Sequence, residues 1–65
     1  MTRYEIMLED HNTKDTQILE TKNIELAKKL FIENMNKYRV AIRKVDDDTA
    51  TVILDNFDYW ELINK

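Results

Sequence analysis

Asn23-Ile24-Glu25-Leu26-Ala27-Lys28-Lys29-Leu30-Phe31-Ile32-Glu33-Asn34-Met35-Asn36-Lys37-Tyr38 is the stretch whose reading decides the fold. At about 100° per residue, Ile24, Ala27, Leu30, Phe31, Met35 and Tyr38 fall within roughly 140° of one another, which is one apolar face of a helix. The spacing predicts an amphipathic helix from Ile24 to Tyr38 with that face buried. Asn23 is placed to cap it, its side chain accepting an early backbone N–H. Glu25 with Lys29, and Glu33 with Lys37, would form two i,i+4 pairs in the favourable order, each worth about 0.3 kcal/mol.

The segments on either side read as strands that cover this helix. Before it, Thr2 to Glu9 alternates, with Tyr4, Ile6 and Leu8 on one side and Arg3, Glu5, Met7 and Glu9 on the other. The polar stretch Asp10-His11-Asn12-Thr13-Lys14-Asp15 then predicts the loop of an antiparallel hairpin, with a returning strand over Thr16–Thr21. After the helix, Arg39 to Val45 and Thr49 to Leu54 are dense in β-branched residues and joined by Asp46-Asp47-Asp48, a second hairpin. The order ββαββ predicts an α+β fold: an antiparallel sheet of about four strands with one helix across one face. Met7 and Leu19 are expected to point away from that helix, onto a face able to support self-association by sheet packing or edge pairing.

The end of the chain admits two readings. Asp58 and Glu61 have capping-box spacing, and Phe57 with Leu62 would complete a hydrophobic staple, which predicts a short helix over Tyr59–Asn64. Alternation of Tyr59, Glu61 and Ile63 against Trp60 and Leu62 instead predicts a fifth strand. The helix carries two independent signals.

Length and composition restrict what such a chain can do. Sixty-five residues make one domain over 1–65, and one this small buries only about 60% of its unfolded surface. With no cysteine and a single histidine, His11, neither disulfides nor a thiolate metal site can support it. Hydrophobic residues at 43% and charged residues at 35% describe a folded chain with no run long enough to span a bilayer. The first five residues lack the apolar core of a secretory signal, so a cytoplasmic location is expected. In size and composition, acidic, Cys-free and rich in Ile, Asn and Lys, the chain resembles small inhibitor and regulatory proteins of phages and mobile elements.

Catalytic chemistry finds little to work with. The sequence has no Ser or Cys for acyl transfer and no Gly for a phosphate-cradling loop. His11 beside Asp10 and Asp15 reads as a solvated loop rather than a base or a ligand set. The Asp46–Asp48 run lacks the alternate ligands, Gly and distal Glu of a calcium loop. No enzyme activity, cofactor or metal is implied.

Charge is unevenly placed. Residues 22–44 hold seven Lys/Arg against two Asp/Glu, whereas residues 45–65 hold one against six. The simplest account is a mixed surface whose opposite charges meet in the fold. Two sharper readings follow. In the first, Asp55, Asp58, Tyr59, Trp60 and Glu61 form an acidic aromatic surface for a protein partner with a basic face, making the chain a non-catalytic regulator or inhibitor. In the alternative, Lys28, Lys29, Lys37, Arg39, Arg43 and Lys44 contact nucleic-acid phosphates, against which stands the acidic pI of about 5.0. A structural homodimer is a third reading.

Overall fold

In the computed structural model, which describes residues 2–57, the elements run β1 (Arg3–Asp10), β2 (Thr16–Thr21), α1 (Ile24–Asn34), β3 (Tyr38–Val45) and β4 (Ala50–Asp55). The strands form one sheet in the order β2-β1-β3-β4, antiparallel throughout. The predicted α+β architecture of four strands and one helix is the observed one. Because β2 and β3 are both antiparallel to β1, they run parallel to each other, and α1 carries the chain across β1 between them.

The helix starts where its cap places it. Asn23 has extended backbone, and its Oδ1 accepts from Glu25 N at 2.9 Å and Leu26 N at 3.4 Å, satisfying two of the donors a helix start leaves open. Its end differs from the sequence reading: the helix stops at Asn34, with Met35 as C-cap, instead of running to Tyr38. Asn34 Nδ2 turns back to Leu30 O at 2.8 Å, and Lys37 N closes on Asn34 O at 3.1 Å. Tyr38 is then already the first residue of β3, opposite Asp10. Met35 and Tyr38 still pack on the core, so helical periodicity continued past the helix because both sides of the turn face the same apolar centre. Glu33 and Lys37 therefore share no helical geometry. Glu25 and Lys29 do, but they are not among the closed ion pairs of the described residues.

The core lies between α1 and the two central strands. Ile6 and Leu8 of β1, Val40 and Ile42 of β3, and Ala27 and Phe31 of α1 form it, with Tyr4, Leu19, Ile24 and Leu30 packed at its edge. Ile6, Val40 and Ile42 are fully enclosed, each such side chain contributing about 1.5–3 kcal/mol. Leu19 stands opposite Ile6 and shares its face, so it belongs to the helix side. Met7, opposite Ala41, is on the other side as expected.

The remaining boundaries move by a residue. β1 begins at Arg3, while the Thr2 hydroxyl donates to Asp46 Oδ1 at 2.6 Å. β4 covers Ala50–Asp55 because Thr49 O is taken by Asp46 N at 2.8 Å to close the turn. Ile53 is an extra residue in β4, since Ile42 pairs with Leu54 and the next residue, Arg43, with Val52. Such a bulge increases local twist and is a common device on edge strands. α1 contacts β1, β2 and β3 but not β4, and Leu54, on the helix side of the sheet, stays 40% exposed.

Candidate functional site

The sheet face turned away from α1 is built by alternation and cross-strand register. On it Glu5 stands opposite Arg43 and Glu9 opposite Arg39, with Met7 opposite Ala41 between them and Ile18 beyond Met7 on β2. Arg43 reaches Glu5 through Nε, 2.9 Å from Oε1, and through Nη2 as well. Arg39 Nη1 lies 3.1 Å from Glu9 Oε1. At the sheet's β2 edge, Arg3 Nε approaches Glu20 Oε2 at 3.5 Å. The face thus consists of an apolar row, Ile18–Met7–Ala41, framed by two rows of cross-strand ion pairs. Arg43 pairs with β1 rather than with the acidic turn that follows it in sequence.

The end of β4 is tied to the start of β3 and to the turn after α1 by one side chain. Asn56 is 5% exposed, and its side-chain oxygen, its side-chain nitrogen and its backbone N–H are all hydrogen-bonded. Its Oδ1 accepts from Val40 N at 2.8 Å, and its backbone N donates to Val40 O at 3.2 Å. Its Nδ2 donates to Met35 O and to Tyr38 O, both at 2.9 Å. One buried amide thus joins the end of β4, the start of β3 and the turn after α1. Among the described residues no buried polar side-chain atom lacks a partner.

Asn56 sets the position of Phe57. The Phe57 backbone N donates to Asp55 Oδ1 at 3.1 Å, and its ring lies with its centroid 4.5 Å from the Arg39 guanidinium carbon, within cation–π range. Met7, Glu9, Thr16, Arg39, Ala41 and Phe57 enclose a shallow depression of about 80 Å³. A second hollow of about 200 Å³ lies under the β1–β2 loop, lined by Leu8, Asp10, Asp15, Gln17 and Tyr38 among others. Both are below the roughly 300 Å³ at which small-molecule sites begin.

The residues expected to bind protein meet the structure at one point. Asp55 is exposed at the end of β4, next to the depression. Asp58, Tyr59, Trp60 and Glu61, together with the helix-or-strand question over Tyr59–Asn64, lie outside the described residues. The six basic positions are divided. Lys28 and Lys29 are exposed on α1, Lys37 is in the turn after it, and Lys44 is on the helix side of β3. Arg39 and Arg43 are on the opposite face, each held by a glutamate.

The loop histidine and the acidic turn have structural surroundings. Asp10 Oδ1 accepts from Asn12 N at 2.8 Å and Thr13 N at 3.0 Å, an Asx turn. These bonds, to Thr13 first and Asn12 second, hold the Asp10 carboxyl below its ordinary value. Lys14, with φ 65°, takes the left-handed conformation that closes the loop, its N bonded to Asp10 O at 2.9 Å. Among the described residues, no three His, Asp or Glu side chains gather where a metal ion could be held. No described helix is long and apolar enough to cross a membrane.

Sequence reasoning missed Phe57, Glu5 and Glu9 as parts of one surface, and Asn56 as the buried amide beside it. A signal for two of them was present: Glu5 and Glu9 on one strand have the same four-residue spacing as Arg39 and Arg43 on another, which antiparallel pairing brings into register. No family model matches the chain, and neither the curated proteins nor the solved structures contain a significant match to it.

Proposed function

We propose that this chain is a non-catalytic protein-binding module, acting as a small regulator or inhibitor on a partner with a basic surface. Its contact residues are Asp55, Asp58, Tyr59, Trp60 and Glu61, extended by Phe57 and the depression beside it. One observation carries the reading. Buried Asn56 fixes the exit of β4, so that Asp55 and Phe57, the described residues next to the acidic aromatic segment in sequence, stand beside an apolar row on the sheet face α1 does not cover. An aromatic anchor with carboxylates around it suits a centre-and-rim interface, in which charge steers and the buried aromatic holds. The missing nucleophile types, together with the small volume of the two hollows among the described residues, support a binding role over a catalytic one.

The nucleic-acid reading has less behind it. Its six cations share no surface, and the two arginines already have carboxylate partners. The test is quantitative. A protein isolated on the immobilised wild-type chain is purified and titrated with wild type and with the triple variant Asp55→Lys, Asp58→Lys, Glu61→Lys. Affinity should fall at least about tenfold, or about 1.4 kcal/mol. Equal affinity for the two chains would remove the assignment.

A further inference from the structure

β4 is the less protected edge of the sheet. Among the described strands it pairs only with β3, α1 does not reach it, and every one of its residues is exposed. Val52, Ile53 and Leu54 follow one another at 49%, 45% and 40% exposure. Edge strands are ordinarily blunted by charge or proline. Thr49-Ala50-Thr51-Val52-Ile53-Leu54 contains neither, whereas the other edge, β2, carries Glu20 in an ion pair with Arg3. What blunts β4 is its extra residue, Ile53.

The ladder shows which backbone groups face outward. Asn56 N bonds to Val40 O at 3.2 Å and Asp46 N to Thr49 O at 2.8 Å, and bonded and non-bonded pairs alternate along an antiparallel ladder. Between those two ends, Thr51 and Leu54 therefore turn their N–H and C=O towards β3, while Ala50, Val52 and Asp55 turn theirs outward. Because of the bulge, Val52 and Asp55 are three residues apart instead of two. A regular strand, whose bonding residues recur every two, can match β4 on one side of Ile53 but not on both. A second copy can match both. Laid antiparallel about a two-fold axis, it sets Ala50 against Asp55 and Thr51 against Leu54 on each side of the axis, and the extra residue Ile53 against Val52 at the centre. Ala50 and Asp55 share the sheet face away from α1, and Thr51 and Leu54 share the helix side, so these flanking pairs agree in face and in bonding direction. We propose that the chain forms a two-fold dimer through β4, joining two four-stranded sheets into one continuous sheet. Val52 and Ile53 of both copies lie at its axis, and Asp55 faces Ala50 rather than another charge. The inference concerns the chain alone and does not rest on the proposed partner.

Sedimentation equilibrium of the chain alone, from about 1 μM to about 1 mM, should show the mass rise from 7.9 kDa towards twice that value and stop there. Ala50→Pro removes an outward N–H at the first residue of β4, where proline leaves the bonds to β3 in place. Symmetry doubles the loss to two hydrogen bonds, so the dimer should weaken at least about tenfold while far-UV circular dichroism keeps the folded signal. Val52→Lys sets two like charges beside the axis and should weaken it likewise, which keeps the test open if Ala50→Pro fails to fold. Ile18→Lys, on the other edge, should leave self-association unchanged. Four results would overturn the proposal: a monomer mass at every concentration, a mass that climbs past the dimer, a dimer that survives folded Ala50→Pro and Val52→Lys chains, or one lost on Ile18→Lys instead.

Discussion

Replacing Asn56 by Ala tests how much of the fold depends on one buried amide. The substitution deletes three side-chain hydrogen bonds, from Val40 N and to Met35 O and Tyr38 O, while the backbone bond to Val40 O can persist. At about 1 kcal/mol net for each bond, the loss is about 3 kcal/mol, and more if water cannot reach the stranded groups. A chain of this length has only about 3–10 kcal/mol in total. The midpoint temperature should therefore drop by roughly 12–24 °C, and the urea midpoint should fall with little change in m. Asn56→Asp is the sharper variant. It keeps the size and the acceptor for Val40 N, but turns a carboxylate oxygen towards two carbonyl oxygens. Burial and those carbonyls raise the folded pKa of the introduced carboxyl. Its stability should thus recover as pH falls through that value, the opposite of the usual acid trend. Equilibrium urea unfolding across pH reads both effects. A loss below about 1 kcal/mol for both variants at neutral pH would refute the clamp, since it is less than one buried unsatisfied group normally costs.

Three further outcomes follow from the hairpin and the ion pairs. Lys14 holds φ 65° without being glycine, so Lys14→Gly should raise stability by about 1 kcal/mol in thermal unfolding by relieving the left-handed strain. The lowered pKa of Asp10 contributes stability that is present above its ordinary value of 3.8 and is lost as pH falls through the lower folded value; Asp10→Asn should flatten that part of the acid-unfolding curve. A double-mutant cycle on Glu5 and Arg43 should give a coupling of about 1 kcal/mol, because the Glu5 side chain is only 14% exposed. The same cycle on Arg3 and Glu20, both well exposed, should give less than about 0.5 kcal/mol.

The sequence was most legible where local chemistry and burial point the same way. Asn23, the apolar face of α1 and the alternation of β1 all read correctly, because each periodicity is the imprint of one buried face. The helix end was misread at Met35 and Tyr38, since a residue packing on the core from a turn or a strand start looks the same in one dimension as one on a helix. Leu19 was misplaced because its face is set by the pairing with Ile6, a long-range fact that a short strand of mixed polarity does not announce. Asn56 was invisible for a stronger reason. Its partners lie 16 to 21 residues away, and nothing in its neighbourhood distinguishes a buried network amide from a surface turn residue. The charged rows were half legible: the matching spacings of Glu5/Glu9 and Arg39/Arg43 encode their own register, yet counted by segment they resemble a basic middle and an acidic end.

That contrast bears on function. Taken along the chain, the basic residues invite a phosphate-binding reading; in three dimensions Arg39 and Arg43 are paired with glutamates on one face of the sheet, while Lys28, Lys29 and Lys44 lie on the helix side. On the other side of the sheet, Asp55 and Phe57 flank the buried Asn56 at the edge of an apolar row.

The most direct measurement is a chemical-shift footprint: amide resonances of the ¹⁵N-labelled chain recorded as the isolated partner is added. Shifts should concentrate at Met7, Ala41, Asp55, Phe57 and residues 58–61, with Lys28 and Lys29 on α1 unmoved. A footprint centred on Lys28, Lys29 and Lys44, on the other side of the sheet, would contradict it.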